Sequence, residues 1–166
     1  MLKFAYEYKS EIQKIYPRLI LDKKYKYLFA DNWSSLEYVT KDTDWEELHY
    51  VSVAGSNILG CIKFATDRTN NTISSVTLFS MFINNIKFYH DILDAIDIVF
   101  YNKGFRRIDF TVVSPSYNEK LYDKFIAKHG GRKIGYRTAE YYMDGKYYNK
   151  AIYEIVKENY KRGSQC

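Results

Sequence analysis

The sequence predicts a mixed α/β (α+β) domain, with a central twisted mixed sheet built from an antiparallel meander, a strand-helix-strand crossover and a C-terminal β-hairpin, and with helices on both faces. Three observations predict it. Strand-like runs at 50–53, 58–65 and 73–83 are joined by the turn residues Gly55-Ser56-Asn57 and 67–71, and three strands on two short turns make a meander. Tyr89, Ile92, Leu93, Ile96, Val99 and Phe100 then recur at helical spacing, and alternation returns at 107–113, so that helix joins two parallel strands. Asp144-Gly145, a strong hairpin signal, separates two last strands near 133–143 and 148–156.

The amino-terminal part is harder to read. Ile12, Ile15, Tyr16 and Leu19 suggest an amphipathic helix with Pro17 disturbing its end. A second helical or irregular stretch is expected at 21–31, and the acidic segment 42–47 reads as a loop or helix start. The helix after the third strand carries Asp91, Asp94 and Asp97 on its polar side and stops at Lys103-Gly104, a basic last turn and a glycine. Ser116 and Glu119 match a capping box, in which hydroxyl and carboxylate reciprocally satisfy backbone amides. Leu121, Phe125 and Ile126 supply the buried face of that helix, and His129-Gly130-Gly131 ends it.

At 166 residues the chain fits one domain, expected over 1–160 with a loose tail at 161–166. No apolar run approaches the ~20 residues that span a bilayer. The first 21 residues are broken by charges, so neither a membrane span nor a signal peptide is expected. Two cysteines, Cys61 and Cys166, make neither a disulfide framework nor a metal knuckle and fit a reducing cytoplasm. The net charge of +5 is spread along the chain, so it does not mark a nucleic-acid binder. Eighteen tyrosines suit half-buried strand surfaces or the lining of a groove.

This order of elements resembles the GNAT superfamily of acetyl-CoA-dependent N-acetyltransferases over residues 48–155. The resemblance rests on Lys103-Gly104-Phe105-Arg106-Arg107-Ile108-Asp109-Phe110-Thr111-Val112, on Leu121-Tyr122-Asp123-Lys124-Phe125, on Gly130-Gly131-Arg132 and on Asp144-Gly145-Lys146-Tyr147-Tyr148. The tail is similar to GNAT-like proteins of Gram-positive bacteria and their phages, and the richness in Lys, Tyr, Asn and Ile fits such a source. The resemblance implies acetyl-CoA as cosubstrate and an amine-bearing small molecule or protein as acceptor. It allows a homodimer; no membrane or nucleic-acid partner is expected.

By the same resemblance the pantetheine arm slots between splayed fourth and fifth strands and pairs with backbone near Ser80, Met81, Phe82 and Ile83. Unpaired amides there would align the thioester and polarise its carbonyl. The pyrophosphate would sit at the start of the next helix, near Asn85, Lys87, Phe88 and Tyr89. Here the chain departs from the family, because Asn84-Asn85-Ile86-Lys87-Phe88-Tyr89 contains no glycine; Lys87 is the residue that could supply the charge. Tyr122 matches the tyrosine that protonates the departing thiolate, and Ser116 and Asn118 lie where the family places an asparagine. Tyr122 is also readable as a packing neighbour of Leu121 and Phe125. The general base stays unassigned, since 73–83 holds no Asp, Glu or His; Glu140 and His90 qualify only on chemical grounds. Two readings remain open: an N-acetyltransferase, or a GNAT-like binding or regulatory protein, phage-encoded or bacterial, that has lost catalysis.

Overall fold

The period changes in the sequence map onto seven strands and three helices in the computed structural model, which describes residues 1–21, 45–82 and 85–163. In chain order they are β1 (Leu2–Phe4), α1 (Lys9–Leu21), β2 (Glu47–Ala54), β3 (Asn57–Asp67), β4 (Thr72–Ser80), α2 (Ile86–Asp97), β5 (Arg107–Ser114), α3 (Tyr117–His129), β6 (Arg132–Met143) and β7 (Lys146–Val156). Apart from Leu21, the stretch expected at 21–31 lies outside the described residues, as does the first half of the segment 42–47.

One sheet contains all seven strands in the order β1-β2-β3-β4-β5-β7-β6. Every neighbouring pair is antiparallel except β4 and β5, which are parallel. The strand period sorts side chains between two cores. On β2, Leu48 and Tyr50 join the core shared with α2 and α3, whereas Val51 and Val53 face the core under α1. Helices thus cover both faces. Ile12, Tyr16 and Leu19 are the buried face of α1. Pro17 lies inside that helix and does not end it, because burial of the residues around it offsets the one missing N–H bond.

The helix α2 starts at Ile86, two residues before the expected Phe88. Asn85 caps it, its side-chain oxygen accepting from the Phe88 N–H at 3.0 Å. The Phe88 ring is buried against β3 where Gly60 leaves room, since a Cβ there would lie 2.6 Å from the ring and 2.5 Å from the Phe79 carbonyl oxygen. The carboxyl end passes through one π turn at Ile98–Asn102 and stops at Gly104, whose φ of +78° suits a residue without a side chain. Asp144 and Gly145, both at positive φ, make the expected tight turn between β6 and β7.

Three expectations need correction. Asp91 is not on a solvated face: it is 4% exposed and accepts from the Ser52 hydroxyl, from Lys87 Nζ at 3.2 Å and from the Met1 amino group at 3.4 Å. Ser52 comes from β2, so this carboxylate ties α2 to the sheet. Leu121 is 40% exposed, which leaves Ile126 and the half-buried Phe125 to anchor α3. The tail is held at its first two residues. Lys161 N–H donates to the His129 carbonyl at 3.1 Å, and the Arg162 guanidinium pairs with Asp94 and Asp97.

Replacing Asp91 with alanine leaves the buried Ser52 hydroxyl without its acceptor, and should cost about 2 kcal/mol. Lys87→Ala, at the half-exposed end of the same ion pair, should cost under about 1 kcal/mol. Urea denaturation of both variants checks the order; equal losses would contradict it.

Candidate functional site

Only two residue pairs, Thr72 with Arg107 and Ile73 with Ile108, register β4 against β5. Beyond them the two strands keep their outer partners but lose each other. β4 stays paired to β3 as far as Ser80, and β5 stays paired to β7 as far as Ser114. The facing backbone edges from Ser74 and Asp109 onward therefore lack the ladder that a parallel pair normally makes, and such groups call for other partners.

A cavity of about 400 Å³ lies on the α2 and α3 side of this split. Its walls include Val76 and Leu78 of β4, Phe110 of β5, Ile92 of α2, and Tyr122 and Phe125 of α3. A largely apolar slot of this size suits a slender ligand that hydrogen-bonds mainly through its backbone-like amides.

Strand alternation sends Arg107, Asp109 and Thr111 to the opposite face. There they line a second, polar cavity of about 270 Å³ with Ser74, Ser75 and Glu154. Asp109 and Glu154 are register partners on β5 and β7. One oxygen of Asp109 pairs with Arg107 at 2.9 Å, while the other, Oδ1, is buried with no partner among the described residues. Burial, opposed by Arg107 and reinforced by the Glu154 charge, holds the Asp109 carboxyl above the usual aspartate range. Such a carboxylate accepts a proton more readily than a solvated one. The two cavities lie on opposite faces of the same split.

Tyr122 packs edge-on against Phe110, with ring centroids 5.4 Å apart, and against Tyr153 at 5.9 Å; those two rings stack on each other at 5.3 Å. The helix that carries Tyr122 is also docked by polar contacts. Lys133 of β6 reaches Asp123 at 2.9 Å and Glu119 at 3.0 Å, both on α3. Glu119 also accepts from Ser114 at the end of β5 and from Tyr136 of β6, and Asp123 accepts from the buried Tyr153 hydroxyl at 3.0 Å. Burial lowers the Lys133 pKa, but hydrogen bonds to Asp123, Glu119 and Tyr136 outweigh it and hold the ammonium above the usual lysine range. Glu119 feels burial first, yet its bonds from Lys133, Ser114 and Tyr136 leave it below the usual glutamate range; Asp123 is lowered chiefly by its bond from Lys133.

The residues expected at the site, catalytic and cofactor-binding, fall into four groups. Tyr89 and Tyr122 line the apolar cavity. Met81 and Phe82 follow β4, but the premise of free amides fails there. Met81 N–H is already bonded to the Leu59 carbonyl and Phe82 N–H to the Ser80 hydroxyl; the unpaired edge lies earlier on the strand. Ile83 lies outside the described residues. At the helix start, Asn85 is spent on capping, Phe88 is core and Lys87 is held by Asp91. Ser116 accepts from the Glu119 N–H at 3.1 Å, which is half of the expected capping box; both carboxylate oxygens of Glu119 are taken up elsewhere. Asn118 sits in the first turn of α3. Of the two chemical candidates for a base, His90 is exposed beside Tyr89, and Glu140 pairs with Arg137 on the rim of the polar cavity.

Sequence reading missed Asp91, Asp109 and Lys133. Lys87 and Asp91, one helical turn apart, were the available signal for the first. Another unexpected link is Tyr89 to His129. The buried His129 donates through Nδ1 to the Lys161 carbonyl at 2.6 Å, so Nε2 accepts from the Tyr89 hydroxyl at 2.6 Å. Burial keeps the His129 pKa below its usual value, in line with a neutral ring. Among the described residues no three His, Cys, Asp or Glu side chains are grouped to hold a metal. No described helix is long and apolar enough to cross a membrane.

No family model matches the chain, and no curated protein matches it. Solved structures do. A spermidine N-acetyltransferase chimera from Vibrio cholerae and hSSAT superposes with a TM-score of 0.75 at 16% identity over 95% of both chains. The spermidine N-acetyltransferase of Vibrio cholerae, in complex with CoA and spermine, gives 0.71 at 15% identity over 96% of both. A probable acetyltransferase gives 0.58 at 13% identity over 69% of this chain and 64% of its own. The fold is that of the GNAT acetyltransferases.

Lys133→Met should destabilise the protein by about 1–3 kcal/mol at pH 7, because it strands two carboxylates on α3. Those carboxylates have lowered pKa values, so their contribution is full above the ordinary carboxylate range, roughly pH 4. It is lost as pH falls through their folded values. Lys133, held high, stays charged throughout that window. The melting gap between wild type and variant should therefore close below about pH 4; a gap constant from pH 7 to pH 3 would contradict the assignment.

Proposed function

We propose that the chain is an N-acetyltransferase that moves an acetyl group from acetyl-CoA to a primary amine by direct attack. The observation that carries this reading is the split between β4 and β5, with an apolar slot on one face and a polar, carboxylate-bearing cavity on the other. A thioester with a long, mostly apolar arm fits the first, and a charged amine fits the second. The solved structures with this fold, among them one holding CoA and spermine, support the same assignment.

In this reading the pantetheine arm takes the place of the missing ladder, its amides bonding the free edge of β4 along residues 74–80. Asp109 Oδ1 takes a proton from the acceptor ammonium. The free amine then attacks the thioester carbonyl carbon, forming the C–N bond. As the C–S bond breaks, the second amine proton leaves to solvent and Tyr122 gives its phenolic proton to the thiolate. A phenol holds that proton at neutral pH and can recover it from solvent. Phe110 and Tyr153 keep the Tyr122 ring from turning away. A cytoplasmic setting with a Gram-positive bacterial or phage source belongs to the same proposal, as does an acceptor of the polyamine or protein-amine kind.

Calorimetric titration with acetyl-CoA should give one site per chain. With spermine as probe acceptor and thiol release as readout, Tyr122→Phe should slow transfer roughly 10- to 1000-fold without weakening acetyl-CoA binding. No acetyl-CoA binding at millimolar ligand would refute the enzyme reading in favour of a GNAT-like protein without catalysis, and an unchanged rate would remove Tyr122 from the mechanism.

A further inference from the structure

The polar cavity runs along the strands, and its two ends differ in charge. Asp109 pairs in register with Glu154, and Lys150, four residues earlier on β7, pairs in register with Arg137; four strand residues span about 13 Å. All four line the cavity. At the first end Asp109 pairs with Arg107 at 2.9 Å, and Glu154 is balanced at 2.6 Å by Arg132, an exposed side chain outside the lining. What that end leaves over is Asp109 Oδ1, an acceptor with no partner among the described residues. At the far end two cations of the lining, Arg137 and Lys150, face one carboxylate, Glu140, at 3.1 and 3.7 Å. In the lining, that end carries a cation in surplus.

Arg137 is the reachable member of that pair. Its side chain is 60% exposed, and its contact with Glu140 runs through Nη1 alone, to one oxygen at 3.1 Å and the other at 3.4 Å. A guanidinium offers five donors in a planar fork suited to a carboxylate, and an exposed ion pair is weak, so Arg137 can serve a second anion at little cost. Its placement is a feature of the strand. Between Arg137 and Tyr141 four residues of β6 are matched by two of β7, Ala139 has a φ of +53°, and its N–H donates to the Asn149 side chain at 2.9 Å. Three residues apart, Arg137 and Glu140 would face opposite sides of a regular strand, and this bulge turns both to the cavity.

A polyamine does not match this pattern. Its remaining ammonium groups need spare carboxylates, and each carboxylate of the lining already has a basic partner. An acceptor with an amine at one end and an anion at the other does match. We infer that the acceptor is an amine carrying a carboxylate several bonds away, an ω-amino acid or a short peptide, with the amine at Asp109 and the carboxylate on Arg137. This rests on the acetyl-transfer reading and narrows its acceptor away from the polyamine kind. Arg137 holds the end of the acceptor remote from the reacting carbonyl, so it sets specificity and takes no part in bond making.

The test measures thiol release from saturating acetyl-CoA with glycine, 4-aminobutyrate, 6-aminohexanoate, triglycine, 6-aminohexanamide and spermine, for wild type, Arg137→Gln and Arg137→Glu. In the wild type kcat/KM should rise from glycine to 6-aminohexanoate as the carboxylate comes to reach Arg137, and 6-aminohexanoate should exceed both its amide and spermine by roughly tenfold or more. Whichever of triglycine and 6-aminohexanoate is faster names the class. Arg137→Gln should bring the acid-to-amide ratio close to one, mostly through KM. Arg137→Glu turns three carboxylates against three cations in the lining into four against two, and should shift the preference toward spermine. Acetyl-CoA affinity by calorimetry checks that both variants fold, and the wild-type ranking stands without them. Spermine or the amide outpacing 6-aminohexanoate and triglycine in the wild type, no thiol release with any carboxylate-bearing acceptor, or an acid-to-amide ratio that survives Arg137→Gln overturns the inference while leaving acetyl transfer standing. No binding of acetyl-CoA by the wild type overturns both.

Discussion

The parallel ladder between β4 and β5 ends after two pairs, and the rest of the site depends on that early ending. Each strand is held firmly on its outer side, β4 by β3 and β5 by β7, so the sheet does not come apart when the inner edges diverge. What remains is a gap with backbone donors and acceptors on both rims. Because strand side chains alternate, the same gap is apolar toward α2 and α3 and polar on the face with Asp109 and Glu154. A single departure from regular pairing thus creates a two-sided site with chemically different halves.

The helices around the gap pack apolar faces on the sheet and are also held by buried or half-buried polar contacts. Asp91 ties α2 to β2, and Lys133 ties α3 to β6 while Glu119 carries the link on to the end of β5. These bonds are directional, so they set orientation as well as adhesion. For α3 that matters most, since Ile126 is the deepest of its apolar anchors and Tyr122 has to be held at one angle. The same network includes Lys87, whose ammonium balances the buried Asp91 carboxylate.

The regular parts of this architecture were legible in the sequence because their periods are long enough to count. The meander, the helix with Ile92, Leu93 and Ile96 facing inward, the alternating strand from Arg107 and the Asp144-Gly145 turn all appear where local pattern puts them. β1 was not legible, since three residues carry no period. Asp91 looked like one of three aspartates on a wet face because its main partner, Ser52, is 39 residues away. Lys133 was invisible for the same reason, its partners coming from α3 and from the next strand. Of the residues expected at the site, Tyr122 and Tyr89 line the apolar cavity, and both sit on helices with a countable face. At the start of α2 the sequence did not show that Asn85 caps the helix or that Lys87 pairs with the buried Asp91, since both contacts depend on how the helix docks.

The central claim is that the open edge of β4 is where the thioester ligand lodges. Amide hydrogen exchange tests it without any knowledge of the acceptor. In the free protein, amides along 74–80 that face β5 should exchange faster than those facing β3, and saturating CoA should slow them at least roughly tenfold, since each gains a partner. Protection confined to the amino end of α2, or no change along β4 with CoA demonstrably bound, would contradict it.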